Sequence, residues 1–251
     1  MSIACMPQDL PYPPLSLLNG ASLFLDFDGT LVDIAERPDP VVVEPALLPL
    51  LLVVAKRLEG RIALISGRSI AQIDTLFGHK MDVLAVSGSH GSEHRWQGVS
   101  AHPVRPPELE HVARRFESFS ERHPGTLTEI KSFGVALHYR MAADCEEQAR
   151  ALARGLADET GLALQNGDRV VELRVPGSDK GVAVRRLMQR PPMAGTRPVF
   201  LGDDLTDEPA FEAAIELGGS AVLVGRSRAT AANFNLAGPS AVRAWLAEYS
   251  R

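Results

Sequence analysis

Ser22-Leu23-Phe24-Leu25-Asp26-Phe27-Asp28-Gly29-Thr30 decides the fold. An apolar run that ends abruptly in a polar turn containing glycine has the pattern of a buried parallel strand. Arg61 to Ile65, ending in Ser66-Gly67-Arg68, repeats that pattern, and Val83 to Val86, ending in Ser87-Gly88-Ser89-His90-Gly91, repeats it again. Helical spacing of apolar residues fills the intervals: Pro45 to Leu58 carries Leu47, Leu48, Leu51, Val54, Ala55 and Leu58 on one face, and Ser69 to Phe77 follows the second strand. Strand, helix, strand, helix, strand predicts a doubly wound, Rossmann-like α/β sheet.

The rhythm then changes. Pro107 to His123 reads as a helix, followed by strands Thr126 to Lys131 and Phe133 to Arg140. A second helix, Asp144 to Thr160, precedes Leu162 to Asn166, a turn at Gly167-Asp168, and Arg169 to Val175. This αββαββ pattern predicts a small antiparallel sheet with helices on one face, inserted into the α/β domain as residues 105–175. The α/β grammar resumes with helix Lys180 to Gln189, capped by Ser178 or Asp179. Strand Pro198 to Leu201 comes next, ending in Gly202-Asp203-Asp204. Helix Glu208 to Ile215, strand Ser220 to Val224 and helix Pro239 to Tyr249 complete it, so residues 1–104 and 176–251 form the other domain.

Composition narrows the function. The chain has 251 residues, 45% hydrophobic, with 26 Lys plus Arg against 31 Asp plus Glu. A formal charge of −5 argues against nucleic acid, whose phosphates call for a basic face. The apolar stretch Val41 to Ala55 is interrupted by Glu44, Pro45 and Pro49 and is too short to span a bilayer. Cys5 and Cys145 stand far apart without metal-ligand spacing, which points to neither a disulfide framework nor zinc. A monomeric protein of the reducing cytoplasm is expected, with no membrane partner.

Ligands of open α/β sheets bind at the carboxyl ends of the strands. The predicted strands bring Asp26, Asp28, Ser66, the turn around His90, and Asp203 to that edge, with Lys180 at the start of a helix. Two carboxylates at i and i+2 beyond a strand can point to one side of a tight turn, which Gly29 permits. One carboxylate can attack phosphorus and form an acyl phosphate, while the second serves as general acid and base. A third, Asp203, can share a hard cation with the first, and oxygen ligands beside a phosphate suit Mg²⁺. A hydroxyl with backbone N–H groups at a helix start makes an anion site, for which Ser66 qualifies. Lys180 opposes the helix dipole where it stands, which hints at a balancing anion. Singly, each feature has a plain structural explanation as turn former, helix cap or surface charge; their convergence carries the argument.

Together these residues resemble the haloacid dehalogenase superfamily of phosphotransferases. Its four motifs are matched in order by Asp26-Phe-Asp-Gly-Thr30, Ser66, Lys180 and Gly202-Asp203-Asp204-Leu-Thr-Asp207. The resemblance implies Asp26 as nucleophile and metal ligand, and Asp28 as general acid and base with a backbone-carbonyl ligand. It implies Asp203 as a further metal ligand, Ser66 and Lys180 holding the phosphoryl group, and Thr30, Asp204 and Asp207 in support. Mg²⁺ is the implied cofactor, and the inserted module is the superfamily's cap.

A finer resemblance is to trehalose-6-phosphate phosphatases. It rests on Ile65-Ser-Gly-Arg68, Gly88-Ser-His90-Gly91-Ser-Glu93, Ala136-Leu-His-Tyr-Arg140, Val171-Glu-Leu-Arg174 and Gly202-Asp-Asp-Leu-Thr-Asp-Glu208, together with the αββαββ cap. It implies that Glu129, Lys131 and Glu172 of the cap grip the sugar hydroxyls, with Gly67, Arg68 and His90 contacting substrate from the other domain. Read without it, Glu129 and Lys131 are a strand's solvent face and Glu172 a cross-strand charge partner. His90 reads equally as a packing residue, and Arg68, His138, Arg140 and Arg174 fit either substrate contacts or salt bridges. Trehalose-6-phosphate hydrolysis is the implied activity. Another sugar phosphate, such as sucrose phosphate or a hexose phosphate, is the alternative, and a non-catalytic binding module is a third reading.

Overall fold

The central strand of the computed structural model, β1 (Ala21–Leu25), is buried along its whole length. Residues 9–33, 43–78, 84–96, 99–101, 104–177 and 179–251 are described; Cys5, Val83 and Ser178 lie outside them. On either side of β1 run β2 (Ile62–Ile65) and β10 (Arg197–Gly202), both parallel to it. Beyond β2 comes β3 (Ala85–Gly88); beyond β10 come β11 (Ser220–Val224) and β12 (Phe234–Leu236), all parallel. An antiparallel hairpin, β4 (Glu93–Trp96) and β5 (Val99–Ala101), extends the β3 edge. Among the described residues the sheet has eight strands in the order β12-β11-β10-β1-β2-β3-β4-β5.

Continuous apolar strands are explained by two cores, one on each face. Leu23 and Leu25 of β1, Ile62 and Leu64 of β2, and Val199 and Leu201 of β10 enter one core. There they meet α1 (Leu47–Arg57), α2 (Ile70–Phe77) and α7 (Pro239–Tyr249) through Leu51, Ile73 and Trp245. Phe24, Ala63, Ile65 and Phe200, the alternate residues, enter the other. That core is closed by α5 (Lys180–Met188) and α6 (Glu208–Glu216) through Val184, Leu187 and Phe211. The period of two thus distributes one strand's side chains between two helical layers.

The chain divides into two compact units: Met1–Ala101 with Asp179–Arg251, and His102–Ser178. In the second, α3 (Glu108–Arg122), β6 (Leu127–Lys131), β7 (Gly134–His138), α4 (Glu146–Thr160), β8 (Ala163–Gly167) and β9 (Val170–Arg174) follow one another. The strands form an antiparallel sheet in the order β6-β7-β9-β8. Val135, Leu137, Val171 and Leu173 pack against Val112, Phe116, Ala149 and Ala153 of the two helices. Both helices therefore cover one face.

Three features differ from the sequence reading. The last hairpin turns at Asp168 and Arg169, since Gly167 still pairs with Val170; Arg169 supplies the positive φ of 56°. The third core strand continues to Gly88 rather than stopping at Val86. Strands β4, β5 and β12 were not expected; each is only three or four residues long, and Glu93-His-Arg-Trp96 has no apolar alternation.

Candidate active site

The carboxyl end of β1 delivers Asp26, whose N–H donates to the carbonyl of Leu201 at 3.0 Å, so the strand pairing itself fixes its backbone. The turn that follows is closed by Gly29 N–H to Val32 O at 2.8 Å and Leu31 N–H to Phe27 O at 2.9 Å. Gly29 has φ +78°, and a Cβ there would lie 2.1 Å from an oxygen of Asp203. Glycine is required on both counts, because the turn needs the left-handed region and the neighbouring strand end needs the space.

Lys180 joins the segments that follow two neighbouring parallel strands, β1 and β10. Asp179 caps α5 by accepting Val182 N–H at 2.7 Å, and this places Lys180 at the first helical position. Its Nζ donates to Asp26 at 2.7 Å and to Asp207 at 2.6 Å. All three groups are buried. The second oxygen of Asp207 accepts the N–H groups of Asp203 and Asp204, both at 3.0 Å. Thr30 Oγ1 stands 3.5 Å from both Asp26 and Asp203, a distance at which a hydroxyl bond is weak.

The electrostatics follow from this crowding. Burial pushes the Asp26 carboxyl well above the usual range, Lys180 opposes that, and Asp207 and Asp203 reinforce it. Burial pushes Asp203 up to about 6, helped by the charge of Asp207. Burial disfavours the Lys180 ammonium, yet Asp207 and Asp26 outweigh it and raise the amine above its ordinary value. Three carboxylates thus face one ammonium. Oxygens of Asp26, Asp203 and Asp207 lie within 4.8 Å of one another, so the excess negative charge and the hard-oxygen donor set both fit a divalent cation such as Mg²⁺.

A second group forms around Asp28. Arg68 donates from Nε and Nη2 to the two carboxylate oxygens, each at 2.7 Å, and its guanidinium lies 5.9 Å from the centre of the Phe27 ring. Ser66, fully buried at the end of β2, accepts the backbone N–H of Arg68 at 3.1 Å. The Ser66 backbone is stitched to the β3 turn, donating to Ser87 O at 2.9 Å and accepting from His90 at 3.0 Å. A Cβ on Gly67 would lie 2.7 Å from the His90 ring, so His90 packs directly on this loop. Asp204 behaves differently: it is exposed, and its carboxylate caps Leu205 N–H at 2.6 Å.

In the second unit, strand register places Glu129, Ala136 and Glu172 side by side across three strands, on the sheet face away from the two helices. Lys131 shares that face by the period of two. Lys131 Nζ donates to Glu172 at 2.6 Å, and His138 Nε2 lies 2.8 Å from Glu129. Arg140 lies 3.6 Å from Asp168, an ion pair within the same unit.

The sequence reading missed Arg228, and it named Glu208 only as the end of the Gly202 to Glu208 block and the start of a helix, without a role. Arg228 pairs with Glu208 and donates to the carbonyl of Asp204 at 2.8 Å. With Asp203, Gly225 and Arg226 it also lines a cavity of about 420 Å³. The available signal was the strand-end rule itself: Gly225-Arg-Ser-Arg228 follows the buried strand β11 at the same edge.

The chain is similar to known proteins. The profile of the family described as trehalose-phosphatase matches residues 24–240. The chain is 39% identical over 226 residues to the trehalose-6-phosphate phosphatase of Escherichia coli (strain K12), covering 89% of this chain and 84% of that one. Among solved structures it resembles the C-terminal domain of the Candida albicans trehalose-6-phosphate phosphatase, with a TM-score of 0.80 at 26% identity over 99% of both chains. At the level of fold alone it resembles a haloacid dehalogenase-like hydrolase from Bacteroides thetaiotaomicron, with a TM-score of 0.63 at 13% identity, covering 90% of this chain and 98% of that one. The chain therefore belongs to the trehalose-phosphatase family and is a phosphoric monoester hydrolase with a haloacid dehalogenase-type core and an inserted cap.

Proposed function

We propose that this enzyme hydrolyses trehalose-6-phosphate to trehalose and phosphate through an aspartyl-phosphate on Asp26. The observation that carries the reaction type is the buried Lys180 bridge between Asp26 and Asp207, with Asp203 beside it. The substrate reading rests on the relatives named above and on the paired charges of the cap's sheet face away from its helices.

In this reading a carboxylate oxygen of Asp26 attacks phosphorus and the bond from phosphorus to the sugar oxygen breaks. Asp28 gives its proton to the departing sugar oxygen. Water then attacks phosphorus, passing a proton to Asp28, and the acyl-phosphate bond breaks to release phosphate and restore Asp26. Lys180 and Ser66 offset charge on the transferring group. Asp26, the backbone carbonyl of Asp28 and Asp203 would hold Mg²⁺, which would supply Lewis-acid stabilisation of phosphoryl oxygens when bound. Thr30 and Asp207 steady this cluster; Asp204 contributes only through its turn.

The cap, residues 105–175, takes the sugar. Lys131 and Glu172 exchange their ion pair, and Glu129 its contact with His138, for hydroxyl groups of the disaccharide, while Gly67, Arg68 and His90 line the phosphate end. Charged groups make strong hydrogen bonds to a polyol, and leaving them unpaired is costly, so substrates without matching hydroxyls are rejected. The chemistry is assigned to the cytosol, the expectation from two cysteines far apart in the sequence. Among the described residues no helix is long and apolar enough to cross a membrane.

Asp26→Asn tests the nucleophile. It should lower phosphate release from trehalose-6-phosphate by more than about 1000-fold while the protein stays folded. Retained turnover removes Asp26 from the role.

A further inference from the structure

We propose that Arg228 is a positioning residue for the divalent-cation site, acting through the backbone of Asp203 and Asp204. The proposal rests on reading the Asp26 and Asp203 carboxylates as that site, and it assigns a role to a residue distant in sequence from all four motifs.

Arg228 sits in the loop after β11 and ties three segments together. Its Nη2 donates to the Asp204 carbonyl at 2.8 Å and reaches the Asp203 carbonyl at 3.5 Å. Its Nη1 pairs with Glu208, the first residue of α6. The other Glu208 oxygen accepts Ala231 N–H at 2.9 Å. A carboxylate at a helix start is favoured by the helix dipole, so Glu208 is a firm anchor for the guanidinium.

The bend at Asp203 and Asp204 is therefore held from two sides. Asp207 takes its N–H groups, and Arg228 takes its carbonyls. Asp203 and Arg228 also line one cavity together. These hydrogen bonds help set the direction in which Asp203 leaves the backbone. Glu208 balances the Arg228 charge, so the contribution to a bound cation is geometric. Lysine is a poor substitute, since a single ammonium cannot span the carbonyls and Glu208 in the planar fork of a guanidinium.

The test is Mn²⁺ binding to the metal-free protein, followed by electron paramagnetic resonance, with thermal unfolding in chelator and KM for the sugar phosphate at saturating Mg²⁺. Arg228→Ala should bind Mn²⁺ about 10-fold more weakly, as expected when a residue that orients a ligand is lost. Its KM should stay within about twofold of wild type, and Arg228→Lys should fall between the two in Mn²⁺ affinity. Unchanged Mn²⁺ affinity with a lowered melting temperature overturns the proposal and leaves Arg228 a structural clamp. If the alanine variant does not fold, the lysine variant decides: weaker binding at an unchanged melting temperature upholds the role, and wild-type binding overturns it. Wild-type protein that takes up no Mn²⁺ contradicts the metal reading itself, whatever the variants do.

Discussion

Arg68 holds Asp28 in a two-pronged grip, with both guanidinium-to-carboxylate bonds at 2.7 Å and the Phe27 ring beneath the guanidinium. The same Arg68 gives its backbone N–H to Ser66. One residue thus links the proposed acid–base carboxylate to the hydroxyl proposed to receive the phosphate. Fork-to-carboxylate pairing fixes orientation as well as charge.

Arg68→Ala should therefore lower kcat by about 10- to 100-fold, the scale associated with misplacing a reacting group by an ångström. Arg68→Lys should recover only part of it, because an ammonium cannot pair with both oxygens in one plane. Steady-state kinetics on the two variants checks this. Equal activity of the lysine and wild-type enzymes would show that only the charge matters.

Gly29 and Gly78 separate two reasons for being glycine. Both have positive φ, but a Cβ on Gly29 meets Asp203 at 2.1 Å while Gly78, at the end of α2, has nothing within 4 Å. Gly78→Ala should cost about 1–2 kcal/mol of stability and leave kcat intact. Gly29→Ala should in addition displace Asp203 and reduce turnover by about 100-fold or more. Denaturant unfolding and kinetics on the pair distinguish backbone strain from damage to the site. Full activity in Gly29→Ala contradicts the close approach of the two strand ends.

Lys180 carries the third prediction. Removing an ammonium that two buried carboxylates share leaves both uncompensated, a loss of about 3–5 kcal/mol when a buried pair is broken. Lys180→Ala should show this loss in chelator-treated protein by urea unfolding, together with the loss of turnover. A change below about 1 kcal/mol would mean that water reaches Asp26 and Asp207 far more freely than their burial indicates.

These residues also show how much the sequence discloses. The strands that build the site announce themselves because both faces are covered, so Leu23, Phe24 and Leu25 must all be apolar. Each ends at a polar turn, and hence the placement of Asp26, Ser66 and Asp203 at one sheet edge was legible, while their roles rested on convergence and on the family resemblance. Lys180 was legible through its conflict with the helix dipole, and the structure resolves that conflict with two carboxylates. For Arg228 only the sheet edge was legible, from its place after β11; its partners depend on where that loop crosses the bend after β10, and nothing in Gly225-Arg-Ser-Arg228 encodes that crossing. Strand β12 escaped for a related reason: three residues contribute too little pattern to stand out from the loop around them. The Asp168-Arg169 turn was displaced by one residue because Asn166, Gly167 and Asp168 all favour turns, whereas Arg169 does not advertise its positive φ.

The cap residues mark the boundary between pattern and meaning. Without the family resemblance, Glu172 reads as a cross-strand charge partner, and in the structure it is one, bonded to Lys131. Both readings of this pair predict the same contact in the absence of sugar, so only substrate discriminates between them.

The central measurement is phosphate release from trehalose-6-phosphate beside glucose-6-phosphate and sucrose-6-phosphate, each in Mg²⁺ and in excess chelator. The account predicts release that requires Mg²⁺ and a clear preference, in kcat/KM, for the trehalose ester. Preference for another ester would overturn the role given to Glu129, Lys131 and Glu172, and release undiminished by chelator would contradict the metal site at Asp26 and Asp203.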